Sequence, residues 1–287
     1  MPQFPLHRLG VCSWSLRADS PAQCVERVLA CGVRRVQLHL DPLRTLDWRA
    51  DEVAGLFRAA RIAIVSGMMT TKGEDYSSLE SIKRTGGIRP DETWDENLRA
   101  AEGNAVFAAR LGIGLVTLHA GFLPHAPSET PAVTGSTERD SLIARLVRLA
   151  EVFANRRIRL GLETGQESAS TLLEVLAEVN RELPSYAAVG VNFDPANMIL
   201  YGMGDPVEAL SLLAPHILQV HIKDALPSDS LGEWGAEVPF RRGSVRWDAF
   251  FEVLAKLPVT VPLMIEREAG DQRVEDIASA VAAIRAM

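Results

Sequence analysis

The chain has 287 residues, 47% of them hydrophobic, which is ample for one large core. Its 30 basic and 37 acidic residues leave a formal net charge of −7, a poor basis for sequence-independent binding to nucleic acid, which works by neutralising phosphates. No run of about 18 apolar residues is present, so no transmembrane helix is expected.

The N-terminus, Met1-Pro-Gln-Phe-Pro-Leu-His-Arg8, lacks the apolar centre of a signal peptide. Strand-like and helix-like stretches then alternate to the end of the chain. Leu9 to Ser13 is the first strand candidate. A helix follows, with Ser20 as N-cap, Pro21 in its first turn and Gly32 past its end. Val33 to Leu40 is the second strand and Asp51 to Ala60 lies in a helix. Ile62 to Ser66 is the third strand, and a long polar segment, Gly67 to Pro90, comes next. Asp91 to Leu111 is helical, closed by Gly112. Ile113 to His119 is the fourth strand, and Thr137 to Arg156 is helix. The fifth strand ends at Glu163, with Ser168 or Ser170 capping the next helix. The sixth ends at Asp194, and the helix after it begins at Asp205-Pro206. The seventh ends near Lys223, followed by a helix from about Arg246 to Leu257. The eighth ends at Glu266, and Asp271 to Met287 is the last helix.

Eight near-continuously apolar strands, each followed by a helix, fit parallel strands buried on both faces. Right-handed crossovers close such units into a (β/α)8 TIM barrel, an α/β fold, here expected as one domain over 1–287. An open doubly wound sheet would more often carry a glycine-rich phosphate loop after its first strand, where this chain reads Ser13-Trp-Ser-Leu-Arg17. Two insertions, at about 67–90 and 226–244, follow the carboxyl ends of strands, where the active-site loops of barrels sit. Cys12, Cys24 and Cys31, odd in number and without metal-finger spacing, read as reduced thiols of a cytoplasmic protein. Cys24 and Cys31 read as small buried hydrophobes.

Four residues end successive strands: Ile158-Arg-Leu-Gly-Leu-Glu163, Val189-Gly-Val-Asn-Phe-Asp194, Ile217-Leu-Gln-Val-His221 and Val261-Pro-Leu-Met-Ile-Glu266. In a barrel these ends converge on one rim, so Glu163, Asp194, His221 and Glu266 can meet at one centre. Three carboxylates and an imidazole form a hard, mostly oxygen set that suits Mn2+, Mg2+ or Co2+ better than thiolate-bound zinc. Each residue also has a bland reading. Asp194, before Pro195, could cap a turn. The glutamates could pair with arginines, and His221 could be a core histidine. The same position filled in four consecutive units favours the metal reading.

Several segments resemble the xylose isomerase-like barrel superfamily in its sugar phosphate isomerase/epimerase branch. They are Gly10-Val-Cys-Ser-Trp-Ser15, Gly73-Glu-Asp-Tyr76, Ser81-Ile-Lys-Arg-Thr-Gly-Gly87, Asn192-Phe-Asp-Pro-Ala-Asn-Met198, Val220-His-Ile-Lys-Asp224 and Ile265-Glu-Arg-Glu-Ala-Gly270. The resemblance spans Leu9 to about Ala278. It implies the barrel and one divalent ion, often Mn2+, on Glu163, Asp194, His221 and Glu266. It also implies that the two glutamates exchange the substrate proton. The chain departs from the pattern in three places. The second strand reads Val36-Gln-Leu-His39 where relatives often end in Glu. Asn197 replaces a common substrate-binding His. Phe240-Arg-Arg-Gly-Ser244 replaces a Gly-acidic-Gly turn.

The expected activity is a metal-dependent isomerase or epimerase of a sugar or sugar derivative. A proton leaves next to a carbonyl, a cation stabilises the resulting cis-enediolate, and Glu163 and Glu266 serve as base and acid. His119, Lys223, Asn197 and Trp14 are expected to touch substrate: Lys223 on an oxygen, Trp14 as an apolar wall. Arg241 and Arg242, or Lys72, Lys83 and Arg84, could bind a phosphate or carboxylate or merely face solvent. The 67–90 insertion could close as a lid. The partner is thus a small carbohydrate, with no nucleic acid or membrane, and a homo-oligomer stays open. A lyase acting on a keto-sugar, keto-inositol or keto-glycoside would use the same residues. A DNA-repair endonuclease of the endonuclease IV type would need more strand-ending histidines than His39, His119 and His221. A non-catalytic binding barrel would have no need of the full ligand set.

Overall fold

In the computed structural model the apolar runs pair side by side in parallel, as buried strands linked by crossover helices must. The structure describes residues 6–124, 133–230, 232–257 and 260–287, with backbone alone at Leu6 and 133–137. The start of the chain up to Pro5, His125, and Leu231 of the second insertion lie outside the described residues. The strands are β1 Leu9–Cys12, β2 Arg35–His39, β3 Ala63–Met68, β4 Leu115–Leu118, β5 Arg159–Glu163, β6 Gly190–Phe193, β7 Ile217–Ile222, β8 Asp224–Leu226, β9 Ala236–Val238 and β10 Leu263–Ile265. Around the ring the order is β1-β2-β3-β4-β5-β6-β7-β10, and β10 pairs back onto β1. This is the closed (β/α)8 barrel that the alternation predicts.

The helices start where short polar side chains can satisfy free N–H groups. Ser20 accepts from the Gln23 N–H ahead of the helix Pro21–Ala30, and Ser168, not Ser170, accepts from the Thr171 N–H ahead of Ala169–Glu182. Outward strand side chains pack on the helices. Phe193 of β6, fully buried, meets Phe250 of the helix Trp247–Leu254 at 5.9 Å between ring centroids. Burying one such side chain is worth about 1.5–3 kcal/mol.

Three expectations need correction. The chain after Asp194 does not run open to Asp205: Asp194 caps a short helix, Pro195–Leu200, and a second helix, Pro206–Leu213, follows. The segment 67–90 is not all loop, because β3 runs on to Met68 and Leu79–Thr85 is helical. The segment 226–244 contains an antiparallel ribbon, β8 on β9. Asp224 pins that ribbon's base by accepting from the Gly243 and Val245 N–H groups and from the Trp247 indole.

The first insertion is docked at both ends. Asp41 accepts from the Thr70 N–H at 3.0 Å and from Asn104 at 2.8 Å. At the other end the Ile88 N–H donates to the Ala120 carbonyl at 3.1 Å. That approach depends on Gly87 and Gly121. Gly87 has φ +71°, and a Cβ there would sit 2.1 Å from the Ala120 carbonyl carbon and oxygen; one on Gly121 would sit 2.2 Å from the Gly86 oxygen.

Candidate metal centre

Strand alternation sends every second side chain into the barrel. Several of these inward residues are polar, and they bond to one another beneath the rim. Gln37 donates to Thr117 Oγ1 at 2.8 Å. Gln219 donates to Gln37 Oε1 at 2.7 Å and to Asn192 Oδ1 at 3.1 Å. Ser66 donates to Gln219 Oε1 at 2.5 Å. This floor orients the layer above it. His221 Nε2 lies 2.8 Å from Gln37 Oε1, an acceptor that favours a proton on Nε2, and Nδ1 is turned toward the carboxylates above. Asn192 donates to Glu163 Oε2 at 3.0 Å.

Above the floor the structure brings Glu163, Asp194, His221 and Glu266 together, all four buried. From His221 Nδ1 it is 3.2 Å to Glu266 Oε2, 3.5 Å to Glu163 Oε1 and 3.5 Å to Asp194 Oδ2. Ligand atoms about 2.1 Å from one ion stand roughly 3 Å apart when adjacent, so these spacings suit a shared cation. His221 Nδ1 and Asp194 Oδ2 are buried and accept no hydrogen bond among the described residues. Buried polar atoms are rarely left so. A lone pair facing three carboxylate oxygens is repulsive until a cation or protons intervene. The donor set therefore fits a divalent ion. Asp194 also keeps its bland role, since Oδ1 caps the helix by accepting from the Ala196 and Asn197 N–H groups while Oδ2 faces the centre.

Cys12 Sγ is close too, but it approaches the other ring nitrogen, 3.7 Å from Nε2. Burial pushes its thiol up to about 12, so it stays protonated and is a poor companion ligand.

Burial raises each carboxyl here, and its neighbours decide the outcome. The Lys223 ammonium prevails at Glu266, holding it well below the usual range, and His119 prevails at Glu163, which is lowered. Burial prevails at Asp194, which is pushed up to about 6. Burial opposes the charge on Lys223, but Glu266 and Glu268 keep its ammonium firmly protonated.

The expected substrate contacts surround this centre in a cavity of about 350 Å³ that Trp14, His119, Asn197 and Lys223 all line. Trp14 is more than an apolar wall: its indole N–H donates to Glu266 Oε1 at 2.6 Å. Lys223 donates to Glu266 Oε2 and Glu268 Oε2, each at 3.0 Å. Asn197 donates to Glu163 Oε1 at 3.0 Å, so its amide is partly engaged already. His119 Nε2 lies 3.4 Å from Glu163 Oε1. Tyr76 and Tyr201 line the cavity, and both rings meet Trp234, which ties the two insertions together. Glu74 and Glu268 line the cavity as well, though sequence reasoning assigned neither a role.

The other candidates lie elsewhere. His39 bonds to Asp41. Arg241 pairs with Asp248 at 2.7 Å, and Arg242 is exposed. Lys72 pairs with Glu96, and Lys83 sits over the Phe122 ring. Arg84 lines a separate surface groove with Arg89 and Arg145, whose guanidinium groups are spent on Glu138 and Asp91.

Glu167, on the loop that follows Glu163 and β5, is also buried, and burial pushes its carboxyl up to about 8. An acid raised in this way contributes stability below its unfolded value, near 4.5, and loses it as pH climbs through 8. Glu167→Gln is expected to melt with the parent near pH 5. At pH 9 it should be more stable by on the order of 2–4 kcal/mol, roughly 5–10 °C in Tm. Equal offsets at both pH values in thermal melts would refute this.

A family model described as xylose isomerase-like TIM barrel matches residues 25–287. No curated protein matches the chain. A xylose isomerase domain protein from Planctomyces limnophilus is 33% identical, with 91% of each chain covered and a TM-score of 0.81. A xylose isomerase-like TIM barrel protein from Mycobacterium smegmatis, solved in complex with magnesium, is 17% identical over 99% of this chain and 97% of its own, with a TM-score of 0.70. A 3-keto-D-glucoside 4-epimerase from E. coli is 15% identical over 98% of this chain and 99% of its own, with a TM-score of 0.72. The last two share the fold. With the family match spanning seven of the eight barrel strands and the site above them, the chain belongs to the xylose isomerase-like TIM barrel family.

Proposed function

We propose that this protein is a divalent-cation-dependent isomerase or epimerase of a sugar or sugar derivative, working by proton abstraction beside a carbonyl. The observation that carries the reading is the pair of buried atoms without a hydrogen bond among the described residues, His221 Nδ1 and Asp194 Oδ2, facing the Glu163 and Glu266 carboxylates. Asp194 and His221 chiefly hold the ion, with Mn2+ the first candidate and Mg2+, Co2+ or Zn2+ the others. Once bound, such an ion supplies Lewis-acid stabilisation for the negative charge that develops on oxygen as the adjacent C–H proton leaves.

The chain's own groups do the rest. Glu163 and Glu266 take the base and acid roles. Trp14 and Lys223 hold the Glu266 carboxylate, and Asn192 and Asn197 hold that of Glu163, so neither has to reorganise as it accepts or returns a proton. His119 and Lys223 contact substrate oxygens, and Asn197 and Trp14 complete the wall. The magnesium complex of the Mycobacterium smegmatis protein and the 3-keto-D-glucoside 4-epimerase from E. coli accord with this reading.

The test is to strip the protein with a chelator, restore Mn2+, and incubate it in D2O with ketoses, keto-inositols and 3-keto-glycosides. Stoichiometric Mn2+ and its requirement for deuterium entering a substrate C–H position by NMR support the reading. No ion at stoichiometric level, and no response to added Mn2+, would sink it. A product of unchanged mass marks an isomerase or epimerase. An unsaturated ketone marks the lyase alternative.

A further inference from the structure

The charge of the cavity speaks to which carbohydrate enters. Five carboxylates face or floor it: Glu163, Asp194 and Glu266 at the centre, Glu74 and Glu268 on the walls. Lys223 alone among the chain's 30 lysines and arginines lines it, and all 30 fall within the described residues. That lysine is already shared between Glu266 and Glu268. Even a divalent ion together with a protonated His119 leaves the cavity one charge negative. Elsewhere Arg241 pairs with Asp248, Arg267 with Glu237 and Asp276, and Arg145 with Asp91, while Arg84 and Arg242 line no part of this cavity.

The two wall carboxylates are held in place. Glu74 Oε1 accepts from the Gly87 N–H at 3.1 Å, so docking of the first insertion delivers it. Glu268 is fixed by Lys223 on its side chain and by Glu237, which accepts from its backbone N–H at 2.9 Å. Met68, Met69, Tyr76 and Tyr201 supply apolar surface between these acids. A ring with one hydroxyl-rich edge and one C–H face suits such a lining, whereas a phosphate or carboxylate would meet like charge without a paired arginine.

Resting on the function proposed above, we infer that the substrate is an uncharged carbohydrate rather than a sugar phosphate or sugar acid, and that Glu74 and Glu268 enforce the choice. Binding of matched ligands to the Mn2+-loaded protein tests this, with tryptophan fluorescence and Mn2+ water-proton relaxation as readouts. The probes are D-fructose, a keto-inositol and a 3-keto-glucoside against D-fructose 6-phosphate and inorganic phosphate. At least one neutral probe should bind, with the phosphorylated ones at least about tenfold weaker. The double substitution of Glu74→Gln and Glu268→Gln should narrow that gap. Equal or tighter binding of the phosphorylated probes, or no signal from any neutral probe at millimolar concentration, overturns the inference. Absence of a relaxation change on adding Mn2+ would instead sink the cation reading. Fluorescence without added ion would then still decide the charge preference.

Discussion

Glu266→Gln is expected to lower turnover about a thousandfold or more while the barrel stays folded. Two neighbours explain why an amide fails where a carboxylate works. Oε1 accepts the Trp14 indole N–H at 2.6 Å, so an amide oxygen would settle there. Its NH2 would then occupy the place of Oε2, 3.0 Å from the Lys223 ammonium and 3.2 Å from His221 Nδ1. A donor would face a cation, and the group would have lost both its basicity and its charge. Glu163→Gln faces the same conflict, because both its oxygens accept from amides, those of Asn192 and Asn197. Circular dichroism should match the parent, and the unfolding temperature should stay within a few degrees. Metal content, turnover and solvent deuterium exchange, measured together, separate loss of the ion from loss of proton transfer. If either variant kept more than about a tenth of parental turnover, its proposed role would be wrong.

Gly87→Val should have the second large effect, at a residue that lines no part of the cavity. The new Cβ would collide with backbone, 2.1 Å from Ala120, and φ +71° is strained for any branched side chain. The seam between the first insertion and the end of β4 should open, at a cost of about 3 kcal/mol or more. Glu74 then loses the Gly87 N–H that holds it. Turnover should fall at least about tenfold, and the 67–90 segment should become the first site of limited proteolysis. Gly112→Ala is the control. Gly112 shares a positive φ of +70° but has nothing within 4 Å of a would-be Cβ, so its cost should stay near 1 kcal/mol with turnover intact. Equal behaviour of the two variants would mean that backbone conformation, not docking, is what matters at Gly87.

The barrel was legible because eight apolar runs separated by capped helices leave few other arrangements. The four-residue centre was legible because each member ends such a run. The helix Pro195–Leu200 was missed although its signal was present: Asp194-Pro195 is the same cap-then-proline pairing that marked Asp205-Pro206. Reading Asp194 for its chemistry hid its second use. Gln37, Asn192 and Gln219 were also within reach, since Asn192 and Gln219 lie two residues before Asp194 and His221 and so share their face. Reading the runs as continuously apolar passed over the polar residue in each. Glu74 could not be placed from sequence, because only the Gly87–Ala120 seam says where its loop lies. The indole bond from Trp14 to Glu266 joins residues 252 positions apart, a contact no local pattern encodes.

The hydrogen-bonded floor of Gln37, Gln219, Asn192, Ser66 and Thr117 closes the barrel from below. Among the described residues the cavity is thus a well floored by that network. On the proposed function, an ion held by Glu163, Asp194, His221 and Glu266 would occupy its deepest place. Such an ion would have to arrive before the sugar, and a bound reactant would act as the stopper that keeps it from escaping.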